Sequence, residues 1–295
     1  MGPEALAPAK INLFLHVGAP GEDGYHPLCS LMVFADIGDR LAVHDADALS
    51  VQVRGPFASA LADEADNLVL RAARALLERA PGPQPPLGLS LEKHLPVAAG
   101  LGGGSSDAGA ALRLVRSALS LAVDDTALEA IAGSLGADGA ACLWGRPVIA
   151  QGRGERLSRA PGLPAIEAVL VNPGVGVSTP AVYRALDERG VFGEIEPPPL
   201  PDAFESVEEL AAWLGSLRND LQAPAIALAS GIGDVLETLA DEPETLLARM
   251  SGSGATCFAI CGSDIEADAL AGRIACMRPG WWVRRCRLGG PWDQR

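Results

Sequence analysis

PVAAGLGGGSSDAGAAL, residues 96–112 of the 295-residue chain, joins a run of small residues to a helical pattern. Gly102, Gly103 and Gly104 follow Gly100 with only Leu101 between them. Such a backbone turns tightly and approaches a ligand with no side chain in the way. The spacing behind it predicts a helix over residues 108–119, with Ser105, Ser106 or Asp107 as its cap. A helix that starts there aims unpaired N–H groups and a positive dipole end at one spot, which suits an anion. A glycine run by itself also suits a plain surface loop. The strand-like stretch 87–93 before it, the helix behind it and the hydroxyls of Ser105 and Ser106 favour a phosphate cradle. No lysine follows the glycines, so this is not a P-loop, and the spacing is not that of a dinucleotide fold.

Outward from this segment, composition narrows the function classes. Nearly half the residues are apolar, enough for a large core, and the length favours two domains. A net charge of −14 with no basic run speaks against nucleic acid or an anionic membrane as the main partner. No stretch has the length of a membrane span, and the apolar stretch 11–17 is too short for a leader, so a cytoplasmic location is expected. Six scattered cysteines form no CxxC pair and are expected as small core residues. Among 23 basic residues only Lys10 and Lys93 are lysines. A compact ammonium in an arginine-biased chain suits phosphate handling better than a planar fork does. Tyr25 and Tyr183 are the only tyrosines.

The N-terminal part is predicted to be β-rich, with strands over 9–17, 28–35, 39–44 and 50–53. Asp66 is the expected cap of a helix over 67–79, ended by the proline cluster 81–86. A further helix has the capping box Thr126–Glu129 and ends near Gly136, and residues 141–151 look like a strand. The glycine- and arginine-rich stretch 152–162 is the candidate boundary between domains 1–160 and 161–295. Beyond it, strand 166–171, helices over 180–189, 207–217 and 223–239 and a final strand–loop–strand–helix–strand run make the fold class α+β.

The segment 96–112 resembles the second motif of the galactokinase, homoserine, mevalonate and phosphomevalonate kinase (GHMP kinase) superfamily. SGSGATCFAI, residues 251–260, is similar to its third motif. APAKINLFLHVGAPGEDGYHPLCSL, residues 7–31, resembles the first motif of one branch, whose members phosphorylate a cytidyl-diphospho-methylerythritol. Shorter matches follow in order: DNL at 66–68, GAD at 136–138, NPGVGVSTPAVY at 172–183 and NDL at 219–221. The resemblance implies a two-domain α+β fold with its active site in the cleft between the domains. The implied activity is transfer of a phosphoryl group from ATP, with Mg²⁺, to the 2-hydroxyl of that small-molecule substrate. Other GHMP acceptors, or a silent nucleotide-binding regulator, remain as alternatives, and oligomeric state is left open.

Carried over residue by residue, the resemblance makes Asp138 the base and Lys10 its neighbouring ammonium. From spacing alone, Asp138 suits a helix C-terminus or a turn better than a catalytic base. Val97, Ala98 and Ala99 lead into the phosphate loop, Gly100, Leu101, Gly102, Gly103 and Gly104 form it, and Ser105 and Ser106 close it. Asn67, Leu68, Lys93 and Pro96 fall along the adenine pocket. Tyr25, His26 and Tyr183 fall at the cytosine site, where aromatic faces stack and matched polar edges discriminate. Asn12 and Thr179 fall at substrate hydrogen-bonding positions, although Thr179 also suits a helix cap. After Asp138 the family pattern continues Val-Pro, whereas this chain has Gly139-Ala140.

Overall fold

The computed structural model describes residues 3–61 and 67–292. Two long strands form its spine, β1 (Glu4–Val17) and β2 (Leu28–Asp45), paired antiparallel along most of their length. Side chains from both faces of these strands are buried, which accounts for their continuous apolar sequence. The predicted strands 28–35 and 39–44 are thus one strand, and Gly38 in its middle lets it run on. A Cβ there would lie 2.0 Å from Ala7 O on β1.

β3 (Ser50–Arg54) pairs in parallel with β4 (Leu87–Glu92), and the helix α1 (Leu68–Arg79) lies between them in sequence. Asp66 lies outside the described residues. The cap of α1 is Asn67, whose side chain accepts from Leu70 N. α2 (Gly103–Ala118) begins on the glycines themselves, five residues before the expected start, and its N-cap is Gly102 with φ +62°. None of Ser105, Ser106 or Asp107 is the cap. Three glycines with no Cβ entropy advantage make a poor helix start in isolation. Burial of nine residues of α2 between α1, β1 and α4 overrides that weakness.

α3 (Asp125–Leu135) is capped by Asp124 through Ala127 N, so the Thr126–Glu129 capping box is not used. Residues 141–151 are not one strand. They begin in the short helix α4 (Gly139–Trp144), which ends at Gly145 in the left-handed region, and only then enter β5 (Val148–Gly152). β6 (Arg156–Arg159) folds back on β5.

β7 (Ile166–Asn172) leads to α5 (Thr179–Arg189), α6 (Val207–Gly215), α7 (Gln222–Leu228) and α8 (Gly231–Ala240). The expected single helix 223–239 is therefore two, broken at Ala229 by an extended backbone. β8 (Leu247–Met250), β9 (Cys257–Cys261), α9 (Asp264–Met277) and β10 (Trp282–Gly289) complete the described elements. The main path of the sheet runs β3-β4-β2-β10-β7-β9-β8. One edge of β2 is taken by β1. Its other edge is shared in succession by β5 at residues 28–32, β10 at 34–35 and β4 at 40–45. The two halves of the chain thus meet on one strand. Five cysteines are buried as expected, whereas Cys276 is exposed on the outer face of α9.

Candidate active site

A cleft of about 1480 Å³ opens where β1, the start of α2, the start of α4, the start of α5 and the loop 251–256 converge. The loop 97–102 lies along it, clamped by backbone bonds from both sides. Lys10 N on β1 donates to Leu101 O, and Thr256 N donates to Ala99 O. Ser251 Oγ donates to Gly100 O and accepts from Asn12 N. The approach is so close that a Cβ on Gly100, which has φ +75°, would sit 2.3 Å from Ser251 O. Segments 7–31, 96–112 and 251–260 therefore meet at one point, which explains why the sequence needs glycine at position 100.

Lys10 is 4% exposed, and its side chain runs under Gly102. Its Nζ donates to Asn12 Oδ1 at 2.6 Å and meets Asp138 Oδ2 at 2.9 Å. Asn12 in turn donates to Ser30 Oγ, which donates to Phe14 O, so the ammonium is held from below by a satisfied polar chain. Asp138 occupies the N-cap position of α4, yet its carboxylate caps no backbone N–H. That carboxylate is partly exposed and faces the cleft beside Lys10. The start of α4 is pressed onto α3: a Cβ on Gly139 would lie 1.9 Å from Ala132 O. Gly139 is thus sterically required in this packing, and the departure from Val-Pro accompanies a close helix contact rather than a loosened turn.

Tyr25, on the loop between β1 and β2, is 59% exposed. The Arg153 guanidinium stacks on its ring at 4.1 Å and pairs with Asp23. Tyr183 on α5 packs at 5.1 Å from the ring of His26. Burial, and then the negative charge of Asp138, pushes the Tyr183 phenol up to about 12, so it stays a neutral donor. His26 Nδ1 lies 2.8 Å from Gly18 O and Nε2 lies 3.2 Å from Asp187 Oδ1. Both ring nitrogens already have protein partners, so the imidazole is a fixed wall rather than a spare hydrogen-bonding edge. Thr179 is the first residue of α5, not its cap. Its hydroxyl shares a 2.7 Å hydrogen bond with Ser253 Oγ, tying α5 to the loop 251–256.

Asn67, Leu68, Pro96, Val97, Ala98 and Ala99 line the other end of the same cleft, as do Gly103, Gly104 and Ser105. Ser106 is fully buried behind them. Lys93 lines the cleft too, but its ammonium points beneath the glycines, where it meets Asp39 and lies 2.7 Å from Asp107 Oδ2. Sequence reasoning missed this cluster, along with Ser251, Ser253 and Arg153. The scarcity of lysine marked Lys93, whereas its partner Asp39 lies 54 residues away on another strand. Among the described residues no three His, Cys, Asp or Glu side chains are arranged to hold a metal ion. No described helix is long and apolar enough to cross a membrane.

The α+β fold, the glycine-rich helix start and the lysine–aspartate pair in one cleft define a small-molecule kinase site, and the comparisons agree. The family described as GHMP kinases N terminal domain matches residues 67–146, and GHMP kinases C terminal matches residues 200–277. The chain belongs to the GHMP kinase family. Within it, the 4-diphosphocytidyl-2-C-methyl-D-erythritol kinase of Caulobacter sp. (strain K31) is 64% identical over 98% of this chain and 99% of its own length. The enzyme of the same name from Caulobacter vibrioides (strain NA1000 / CB15N) is 62% identical over 96% of this chain and 98% of its own. A crystal structure of 4-(cytidine 5'-diphospho)-2C-methyl-D-erythritol kinase superposes with a TM-score of 0.78 at 36% identity, covering 97% of this chain and 99% of that one.

Proposed function

We propose that the chain transfers the γ-phosphoryl group of ATP to the 2-hydroxyl of 4-diphosphocytidyl-2-C-methyl-D-erythritol, working in the cytoplasm. The observation that carries this reading is the 2.9 Å pair of Lys10 and Asp138 at the mouth of the glycine loop, with Tyr25 and Tyr183 in the same cleft. Phosphoryl transfer depends chiefly on positioning and charge neutralisation. The loop backbone and the N-terminus of α2 would take the triphosphate, with adenine towards Asn67, Leu68, Lys93 and Pro96 and Mg²⁺ entering on the phosphate oxygens. Domain 1–160 would then supply the donor loop together with Lys10, Asn12, Tyr25, His26 and Asp138 on the acceptor side, and domain 161–295, beginning between β6 and β7, would close that side with Thr179 and Tyr183.

The acceptor hydroxyl would lie between Asp138 and the γ-phosphorus. Asp138 would take its proton as the new P–O bond forms and the bond from the γ-phosphorus to the β,γ-bridging oxygen breaks, ADP leaving with that electron pair, while Lys10 would stabilise negative charge on the transferred group. Asn12 fixes the Lys10 ammonium. The cytosine ring would stack between Tyr25 and Tyr183, with His26 behind it and Thr179 at the start of α5 near the diphosphate. The identity of the relatives and the match of residues 7–31 favour this acceptor over mevalonate-type alcohols.

Asp138→Asn keeps the shape of the side chain and removes its basicity. It should lower kcat by roughly 10²-fold or more while leaving the affinity for an ATP analogue near wild type. An unchanged kcat would remove Asp138 from the chemistry.

A further inference from the structure

The cluster beneath the glycine loop has more negative than positive charge. Lys93, Asp39 and Asp107 are 3%, 0% and 2% exposed, so one ammonium serves two buried carboxylates. Asp39 is fully satisfied: its Oδ1 accepts from His94 N at 2.6 Å and Leu95 N at 2.9 Å, and its Oδ2 faces Lys93. Asp107 has Lys93 on Oδ2 alone, and its buried Oδ1 has no hydrogen-bond partner among the described residues. The cluster lies directly under the cradle, since a Cβ on Gly103 would sit 3.4 Å from Lys93 Nζ and 3.7 Å from Asp39 Oδ2. Asp107 itself lies in the first turns of α2, behind the N–H groups that face the cleft.

We infer that Asp107 is a positioning residue that works as a neutral carboxylic acid, so that seating the ATP triphosphate draws a proton onto it. This rests on the assignment of the glycine loop as the ATP donor site. With Asp107 neutral, Lys93 and Asp39 form a balanced pair that pins the exit of β4 to β2 and supports the start of α2. With Asp107 ionised, an uncompensated buried charge stands behind the cradle and repels the phosphates.

Among the described residues, the charges that act on it are those of Lys93 and Asp39. On β1, Lys10 is committed to Asn12 and Asp138, and α4 has no charged residue. Arg71 and Arg74 of α1 and Asp125 and Glu129 of α3 are on the exposed faces of their helices. Burial, offset in part by Lys93, pushes the Asp107 carboxyl up to about 8. Bound phosphate should push it higher still. Proton uptake on binding and weaker binding above that pH are two faces of one linkage.

The test is calorimetric titration of a Mg²⁺-bound, non-hydrolysable ATP analogue into the wild-type protein. Titrations are run at several pH values from 7 to 9.5, in buffer pairs of different ionisation enthalpy. The expected result is uptake of a fraction of a proton that peaks above pH 8, with Kd rising there by at most about tenfold per pH unit. Asp107→Asn should bind with a nearly pH-independent Kd and no proton uptake, and thermal melting checks that it is folded. Binding by wild type without uptake across this range overturns the inference while leaving the donor site intact. The same uptake in folded Asp107→Asn overturns it equally. Absence of binding overturns the donor-site assignment and the inference with it.

Discussion

At the scale of single residues, the cleft separates side chains that do chemistry from those that hold them. In the proposed mechanism, Lys10 and Asp138, which pair at 2.9 Å in the cleft, face the reacting groups. Asn12, expected to bond substrate, has its side chain committed to Lys10 and Ser30, so it supports the ammonium. Tyr183 is half-buried against His26, whereas Tyr25 is open to solvent on one side and carries Arg153 on its ring. A base stacked between them, as proposed, would have a half-buried wall in Tyr183 and an exposed one in Tyr25. Tyr183→Ala should raise KM for the cytidyl substrate by about 1–3 kcal/mol of lost stacking, and Tyr25→Ala by less, with KM for ATP near wild type in both. Steady-state kinetics with each substrate varied in turn checks this, and an effect confined to ATP contradicts the placement.

Among elements, helix starts and close contacts decide the geometry. α2 starts on its glycines because the loop must pass within touching distance of the segment 251–254, where Gly252 would meet Gly100 O at 3.0 Å if it carried a Cβ. α4 starts at Gly139, just after its N-cap Asp138, where α3 comes close enough to exclude any side chain. Gly139→Val, although it restores the residue usual in the family at that position, should strain this packing. The contact is with backbone, which cannot rotate away, so a loss of about 1–3 kcal/mol is expected, seen as a lower Tm together with a lower kcat. An unchanged Tm would mean that α3 and α4 separate freely.

The same contacts explain which elements the sequence revealed. Strands with long apolar runs and helices with a clear polar face were legible within a few residues. The start of α2, the helical turn of α4 and the break between α7 and α8 were not. There, tertiary burial and backbone proximity override propensity. The caps Asn67 and Asp124 were missed by one or two residues because Asp66 and Thr126 offer equally good capping chemistry in the sequence.

For the whole molecule, one strand joins the halves. β2 is paired on one edge with β1 and on the other with β5, β10 and β4, so elements from both halves of the chain share it. His16, at the far end of β1, is buried with neither ring nitrogen hydrogen-bonded in the described structure. Burial first, then the nearby Arg218 and Arg249 against Asp220, lowers its pKa to about 4. The folded form thus binds this proton less readily than the unfolded chain does. Its contribution to stability is present above about pH 6.5 and is lost as pH falls towards 4, by on the order of 2 kcal/mol. His16→Leu should flatten that acid slope in Tm measured from pH 7 to 4.5, whereas parallel slopes in both proteins would contradict it.

At this scale the motifs and the α+β class were legible because each glycine-rich or aromatic segment has a local signature. The ionic support under the loop was not, because its members come from β2, the exit of β4 and α2 and have no common spacing. The acceptor was readable only through residues 7–31, since the glycine loop recognises phosphates whatever alcohol receives them.

The central claim is that this cleft delivers the γ-phosphoryl group to a cytidyl-bearing alcohol. Its most direct test is to incubate the purified protein with γ-labelled ATP, Mg²⁺ and, separately, 4-diphosphocytidyl-2-C-methyl-D-erythritol, mevalonate, phosphomevalonate and homoserine. The label should appear on the 2-hydroxyl of the cytidyl substrate and not on the other three. Label on any of those without turnover of the cytidyl substrate, or ATP binding with no transfer to any acceptor, would contradict the claim.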